Sequence, residues 1–382
     1  IPIRTEFGLT DVQLAWITAL AVLNGAIWRL PAGIITDRRG GRLVLTVMLA
    51  GYAVLDGFDL GAGIVHLCVA RTREERRTVI ASIGPVWDGN EVWLLAAGGV
   101  LYLAFPVLYA SSFSGFYLPL IIVLWLLVLR GTSIEFRSTI DSPVWIPFWD
   151  VVFSLSSLLL ALFFGAALGN VVRGVPVDAT HRFFEPLWTN FRVGAVTGIL
   201  DWYTILVGLA AVAALTMHGA LWVALKTEGA VEQRAEWFVR PLWALVVLLT
   251  VAITVATFYV QPQVGMNLHD HPWGYIFPAL AIFGLAFVVI FRRRNRLRAF
   301  LASCAYLVGM LTSAAFGLYP YVLPARTNPD FALTVQNAQA PAYGLHIAIV
   351  WWIIGMIFVV GYFIYSYRQF AGKVRSGEGY GH

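Results

Sequence analysis

About ten stretches of this chain stay apolar for nearly the length a helix needs to cross a bilayer. That feature leaves few folds open, because a spanning helix takes about 20 mostly apolar residues. The stretches run roughly over residues 12–36, 43–69, 79–109, 115–130, 145–172, 200–225, 241–260, 274–291, 299–318 and 343–367. Lipid offers the backbone no hydrogen-bond partner, so such segments satisfy their own amides as helices. The expected fold class is therefore all-α, a polytopic membrane protein. Composition agrees: 12% of the residues are charged, against about 25% in a typical soluble protein, and the mean hydropathy is +0.76. An ordinary soluble enzyme, a disordered chain and a nucleic-acid binder are excluded. The net charge of +5 comes from basic residues scattered in short runs between apolar stretches, which is how membrane orientation is encoded.

Cys68 and Cys304 lie in apolar stretches, with no C-x-x-C and no C-x-x-C-H. A disulfide framework, a zinc site and covalent haem attachment find no support there. No short apolar core followed by a small-residue cleavage site opens the sequence, so no secretory signal peptide is expected. Trp145, Trp149, Trp202, Tyr203, Trp243, Tyr259, Trp273 and Tyr275 fall near the ends of stretches, where interfacial aromatics anchor.

The connecting loops alternate in charge. Arg71–Arg77, Arg130–Asp141, Lys226–Arg240, Arg292–Arg298 and the tail from Arg368 are basic or mixed. Ala110–Ser114, Arg173–Gly198, Gln261–Pro272 and Tyr319–Pro341 are poor in Lys. The positive-inside rule puts the first set in the cytoplasm. From residue 43 onward this gives about nine spans, starting outside and ending inside. Residues 1–42 break the pattern, because the loop Asp37-Arg38-Arg39-Gly40-Gly41-Arg42 should also be cytoplasmic while the helix after it ends in the equally basic Arg71–Arg77. A weak internal repeat is visible: the helices ending near His66 and His218 both run outside to inside and both close in charged residues. That fits two similar helical bundles.

Ionisable groups inside apolar helices cost several kcal/mol, so their default reading is functional; the plain alternative is a polar residue that fixes packing. Asp56 and Asp59, in Leu55-Asp-Gly-Phe-Asp-Leu-Gly-Ala-Gly63, are three apart and share a helix face. Asp59 lies ~16 Å from the cytoplasmic end at 1.5 Å per residue. Asp88 and Glu91, in Gly84-Pro-Val-Trp-Asp-Gly-Asn-Glu-Val-Trp93, repeat the spacing. Counted from Val79, Asp88 is ~13 Å deep from the same side. Asp59 and Asp88 thus reach similar depths, and two like carboxylates in a low dielectric can hold and pass a proton near neutral pH. The alternative is a pair of carboxylates facing a wet vestibule. Arg130, in Arg130-Gly-Thr-Ser-Ile-Glu135-Phe-Arg137, could reach back as counter-charge to Asp59 or Asp88, or could be an ordinary membrane-end arginine. Asp150, His66 and His218 fall in the same half. The histidines form no spaced pair at matching depth, so no haem iron or other metal is expected on this chain.

These residues carry a resemblance. Gly51-Tyr-Ala-Val-Leu-Asp-Gly-Phe-Asp-Leu-Gly-Ala-Gly63 resembles the first-helix motif of the cytochrome bd-type quinol oxidase subunit II family, and Gly84-Pro-Val-Trp-Asp-Gly-Asn-Glu-Val-Trp-Leu94 resembles its second-helix motif. Phe113-Ser-Gly-Phe-Tyr117, Arg130–Arg137, Trp188-Thr-Asn-Phe191 and Asp201-Trp-Tyr203 fit it too. The resemblance covers about residues 43–382. It implies a nine-helix subunit, two four-helix bundles plus one helix, in a bacterial cell membrane. It implies a partner subunit I that carries haem b, haem d and the main quinol site, and with it a small accessory subunit, membrane lipid and quinone. The complex would oxidise quinol and reduce dioxygen to water with protons from the cytoplasm. Asp59, Asp88 and Glu91 become the expected proton-pathway residues, and Asp56, Trp87, Arg130 and Glu135 the expected interface or counter-charge residues.

Residues 1–42 depart from that family. Gly33-Ile-Ile-Thr-Asp-Arg-Arg-Gly-Gly-Arg42, with Trp16, Arg29, Leu30 and Pro31 before it, resembles a loop of major facilitator transporters of the nitrate/nitrite branch. The segment is expected to be foreign to residues 43–382, its helix peripheral and its Arg29 without a buried acidic partner. A whole transporter of that kind needs about twelve helices in two related halves, which this chain does not supply. A pure scaffold would gain nothing from buried carboxylates.

Overall fold

The structure, a computed structural model, describes residues 41–194 and 196–374. The expected helix over 12–36, with Arg29, lies outside the described residues. The described chain is almost entirely helical. Helix α1 spans Gly41–Val69 and a short helix α2 spans Arg73–Ile83, followed by α3 (Trp87–Ala104), α4 (Pro106–Gly115), α5 (Tyr117–Phe136) and α6 (Trp145–Arg173). After a long loop come α7 (Trp202–Lys226), α8 (Gly229–Val260), the short α9 (Gln263–Asp270), α10 (Ile276–Phe291) and α11 (Arg296–Gly317). A two-stranded antiparallel ribbon, β1 (Tyr321–Leu323) with β2 (Leu333–Thr334), and the single turn α12 (Val335–Ala338) precede the last helix, α13 (Ala342–Gln369).

Among the described residues, eight helices are long and apolar enough to cross a membrane, or nine if the bent pair α3–α4 counts as one. The bend corrects the single span expected over 79–109. Pro85 cannot supply the amide a continuing helix needs, so the chain breaks between α2 and α3. Pro106 sits at the first turn of α4, and the chain turns by 120° at Phe105. A second correction concerns 226–240, expected as a loop. Val231, Ala235 and Val239 fall four apart and are buried, so one face packs and α8 starts at Gly229, running through Pro241.

Helices α1, α3–α4, α5 and α6 form one group, and α7, α8, α10 and α11 a second; α1 and α7 lie at the centre, where the groups meet. Glycine makes that crossing possible. A Cβ added to Gly61 would fall 1.9 Å from the Leu215 carbonyl oxygen, and one on Gly219 would fall 2.1 Å from the Gly61 carbonyl carbon. Only bare backbone fits, as in close membrane helix pairs. The same crossing carries Asp56 and Asp59, one turn before it on α1, into the centre of the molecule, fully buried.

Candidate functional site

On the face of α1 turned toward α3 and α5, Asp56 meets Arg130 of α5. The guanidinium donates twice, Nη1 to Oδ2 at 2.9 Å and Nη2 to Oδ1 at 2.5 Å, and both side chains are wholly buried. This two-pronged geometry suits a guanidinium and not an ammonium. Glu91 of α3 approaches the same guanidinium at 3.9 Å and keeps 23% of its side chain exposed. Arg130 is thus the counter-charge of Asp56 and Glu91, in place of the Asp59 or Asp88 expected from sequence. The reason is register, since Asp56 shares a face with Asp59 and reaches the guanidinium first.

Asp59 is held differently. Asn90 of α3 donates to its Oδ2 at 2.8 Å and to the Leu55 carbonyl at 3.1 Å. The Tyr367 hydroxyl of α13 donates to Asn90 Oδ1 at 3.0 Å. Asp59 Oδ1 is buried with no partner, as are Tyr52 Oη, Arg130 Nε and Trp87 Nε1. Asn90 and Tyr367 were missed by sequence reasoning. The signal for Asn90 was present, as a neutral amide one residue from Glu91 in an otherwise apolar helix.

Asp88 stands apart. The break before α3 places it in that helix's first turn, exposed, so the depth counted from Val79 does not apply. Trp87 is half-buried with its ring over Gly131 of α5. Glu135 is exposed on α5. Of the seven residues expected from sequence, the structure therefore brings Asp56, Asp59, Glu91 and Arg130 together and leaves Asp88 and Glu135 at the edge.

Two further charge clusters flank the site. Toward the α1–α2 corner, Asp150 of α6 accepts from Arg137 Nε at 2.5 Å and Arg76 at 3.1 Å, and lies 2.9 Å from His66 Nε2. Toward the other end of α6, Arg173 bonds Asp201, Glu185 and Asn170, and the carbonyls of Gly174 and Gly198. This second cluster ties the loop before α7 to α6, and Asp201 also caps α7. Burial pushes the Glu185 carboxyl upward, opposed by the pull of Arg173. At the start of α2 Glu75 receives a hydrogen bond from Arg234 of α8, which holds its carboxyl down at about 2.

The two imidazoles buried in the long helices are drawn into the chain's own packing, with His66 Nδ1 left without a partner. His218 uses both ring nitrogens, on Ser303 at 2.7 Å and the Val54 carbonyl at 2.9 Å, with its ring stacked on Phe300. His66 turns its Nε2 to Asp150 and packs its ring against Phe153. His181, His269 and His271 lie outside the long helices. Among the described residues no three His, Cys, Asp or Glu side chains are grouped to hold a metal ion.

Comparison with known proteins gives one consistent answer for most of the chain. A family model described as cytochrome bd terminal oxidase subunit II matches residues 42–370. A probable cytochrome oxidase subunit 2 of Haemophilus influenzae is 31% identical over 359 residues, covering 87% of this chain and 93% of the relative. The cytochrome bd ubiquinol oxidase subunit 2 of Bacillus subtilis is 31% identical over 343 residues, covering 88% and 96%. The solved bd oxidase of Geobacillus thermodenitrificans shares the fold, with a TM-score of 0.67 at 20% identity over 87% of this chain and 97% of that one. A separate match of 49 residues, 71% identical, is to a probable nitrate/nitrite antiporter of Thermus thermophilus, and covers 13% of this chain and 11% of the antiporter.

Proposed function

The chain belongs to the cytochrome bd terminal oxidase subunit II family, and on that footing we propose that it is the second subunit of an oxidase that oxidises quinol and reduces dioxygen to water. It works in a bacterial cell membrane as a multi-pass protein beside a haem-bearing subunit I. Haem b and haem d belong to that partner. This reading is supported by the engagement of both His218 nitrogens and by the seating of His66 on Asp150. A small accessory subunit, lipid and quinone complete the assembly. Residues 1–42 are a foreign segment joined to the subunit. The transporter alternative rests on a match to 13% of the chain, too little for a transport path.

Its own chemistry is protonic. Protons enter at Asp88 in the exposed first turn of α3, pass to Glu91 one turn further along, and reach Asp59. Arg130 and Asp56 form the fixed charge beside that line, and Trp87 packs its outer wall against α5. The single observation that carries the reading is the placement of Glu91, partly exposed and only 3.9 Å from the guanidinium that Asp56 occupies at closer range. Such a carboxyl touches both the outside and the buried cluster. In the purified complex, Asp88→Asn, Glu91→Gln and Asp59→Asn each keep size and hydrogen bonding but remove the titratable group. Oxygen consumption falls while haem content stays near normal. Unchanged turnover in all three assembled variants refutes the route, and loss of haem content assigns these residues to the subunit interface instead.

A further inference from the structure

Tyr367 reaches Asp59 only through Asn90, and that indirect contact determines which oxygen of Asp59 is free. The Asn90 amide nitrogen faces two acceptors, the Leu55 carbonyl and Asp59 Oδ2. The reverse orientation would set the amide oxygen against the Leu55 carbonyl, two acceptors face to face, so the amide points one way. Its own oxygen then needs a donor, and the Tyr367 hydroxyl supplies one. A buried amide oxygen left without a donor is costly. Donation into the carbonyl also polarises the amide and strengthens its N–H as a donor, as in other hydrogen-bonded chains. Asp59 Oδ2 is thereby kept an acceptor. Oδ1, buried and without a partner, is the oxygen left to carry a proton.

The tyrosine is itself held in place. Its ring packs edge-on to Trp222 of α7 at 6.2 Å and stacks on Phe363 at 5.9 Å. Just beyond α13 the chain turns back over the second helix group. Lys226 Nζ donates to the Phe370 carbonyl at 2.6 Å, Val374 N donates to the Lys226 carbonyl at 2.8 Å, and Lys373 meets Glu232 of α8 at 3.0 Å. This strap fixes the last turn of α13, and with it the hydroxyl that faces α3.

We propose that Tyr367 is a positioning residue for proton transfer. Acting through Asn90, it locks Asp59 Oδ2 as an acceptor and leaves Oδ1 as the oxygen that takes up and releases the proton. The proton arrives on Oδ1 and leaves from Oδ1, and Tyr367 neither gains nor loses one. The inference rests on the proton route proposed above, and the test separates the two.

The purified two-subunit complex is examined by pH-difference infrared spectroscopy. The Asp59 carboxyl C=O band is assigned as the one lost in Asp59→Asn or displaced in Asp59→Glu. In Tyr367→Phe, which keeps the ring, that band moves to higher frequency because the carbonyl has lost part of its amide donor. Turnover falls roughly two- to tenfold, the worth of one hydrogen bond, at normal haem content. If Tyr367→Phe fails to assemble, a fluorinated tyrosine at position 367 preserves the shape, and its more acidic hydroxyl shifts the band to lower frequency. An Asp59 band unmoved by the change at Tyr367, or no Asp59-dependent carboxyl band at all, overturns the proposal. A shifted band with wild-type turnover in Asp59→Asn would instead overturn the proton route and leave the hydrogen-bond assignment standing.

Discussion

Replacing Arg130 by Met tests whether the buried charges around α1 balance as the geometry requires. Met fills a similar volume and removes the only cation that reaches Asp56 and Glu91 among the described residues. Breaking a buried pair from one side costs about 3–5 kcal/mol, because the remaining charge stays in a low dielectric without a partner. A carboxyl can escape by taking up a proton, at about 1.4 kcal/mol for each pH unit above its ordinary value near 4. At pH 7 that escape caps the penalty near 4 kcal/mol for one carboxyl, so Arg130→Met should cost about 3–4 kcal/mol. The double variant Arg130→Met/Asp56→Leu removes both charges, and apolar replacements of buried pairs are often neutral. It should recover most of the loss.

The assay is the yield and the heat-inactivation rate of haem-loaded complex, read for both variants beside the parent. Arg130→Met as durable as the parent would refute the argument, because Asp56 would then have another partner. Failure of the double variant to recover would show that the guanidinium serves the partner subunit and not Asp56.

Three other outcomes follow from the same geometry. Gly219→Val should abolish haem-loaded complex, since even a Cβ there would sit 2.1 Å from the Gly61 backbone; normal yield would mean the two central helices do not cross at that point. Glu75, held at about 2 by Arg234, adds stability that is present above its ordinary value of 4.5 and is lost as pH falls through about 2. The pair is partly exposed and screened, so Glu75→Gln should cost no more than about 1 kcal/mol near neutral pH, seen as a small rise in heat-inactivation rate that disappears in strong acid. Deleting residues 1–42 behind a supplied start Met should leave assembly and quinol oxidation intact, because the family match begins at residue 42; loss of the haem-loaded complex would make the segment part of the subunit.

Much of this arrangement was legible in the sequence, and the parts that were not share a cause. Apolar length located the spans because lipid imposes one rule on every residue. The three-residue spacing of Asp56 and Asp59 put both on one face, and the structure keeps them there. The break at Pro85 and the turn at Phe105 were missed because an apolar run reads as one helix when hydropathy alone is followed. That error carried Asp88 too deep. Glu91, which the same spacing paired with Asp88, is the carboxyl that reaches Arg130. Asn90 and Tyr367 were missed because neutral polar groups leave no charge signature, although a buried amide needs partners as surely as a carboxylate does. The Arg173 cluster was missed because its acids, Glu185 and Asp201, come from a loop whose path no periodicity describes.

Two of the three arginines buried among the described residues, Arg130 and Arg173, show why an ion pair by itself does not mark a functional site. Arg173 has every guanidinium nitrogen engaged, on Asp201, Glu185, Asn170 and two backbone carbonyls. Such a group is saturated, and it holds a loop to a helix end with no bond left to exchange. Arg130 is bound in full only to Asp56; its Nε lacks a partner, Glu91 stands 3.9 Å away, and Asp59 nearby keeps one oxygen unbonded. Buried polar atoms without partners are costly, and three of them gather around α1 and α3 here: Arg130 Nε, Asp59 Oδ1 and Tyr52 Oη. Both clusters are charge-rich and buried, and both end on carboxylates. What separates them is the guanidinium and its access: Arg130 keeps Nε open beside the partly exposed Glu91, whereas Arg173 is saturated and the open atom of its cluster is the buried Glu185 Oε2. The open Nε of Arg130 lies between α1, α3 and α5, where Glu91 is partly exposed, and it is there that the proton route proposed above would take up and release its proton.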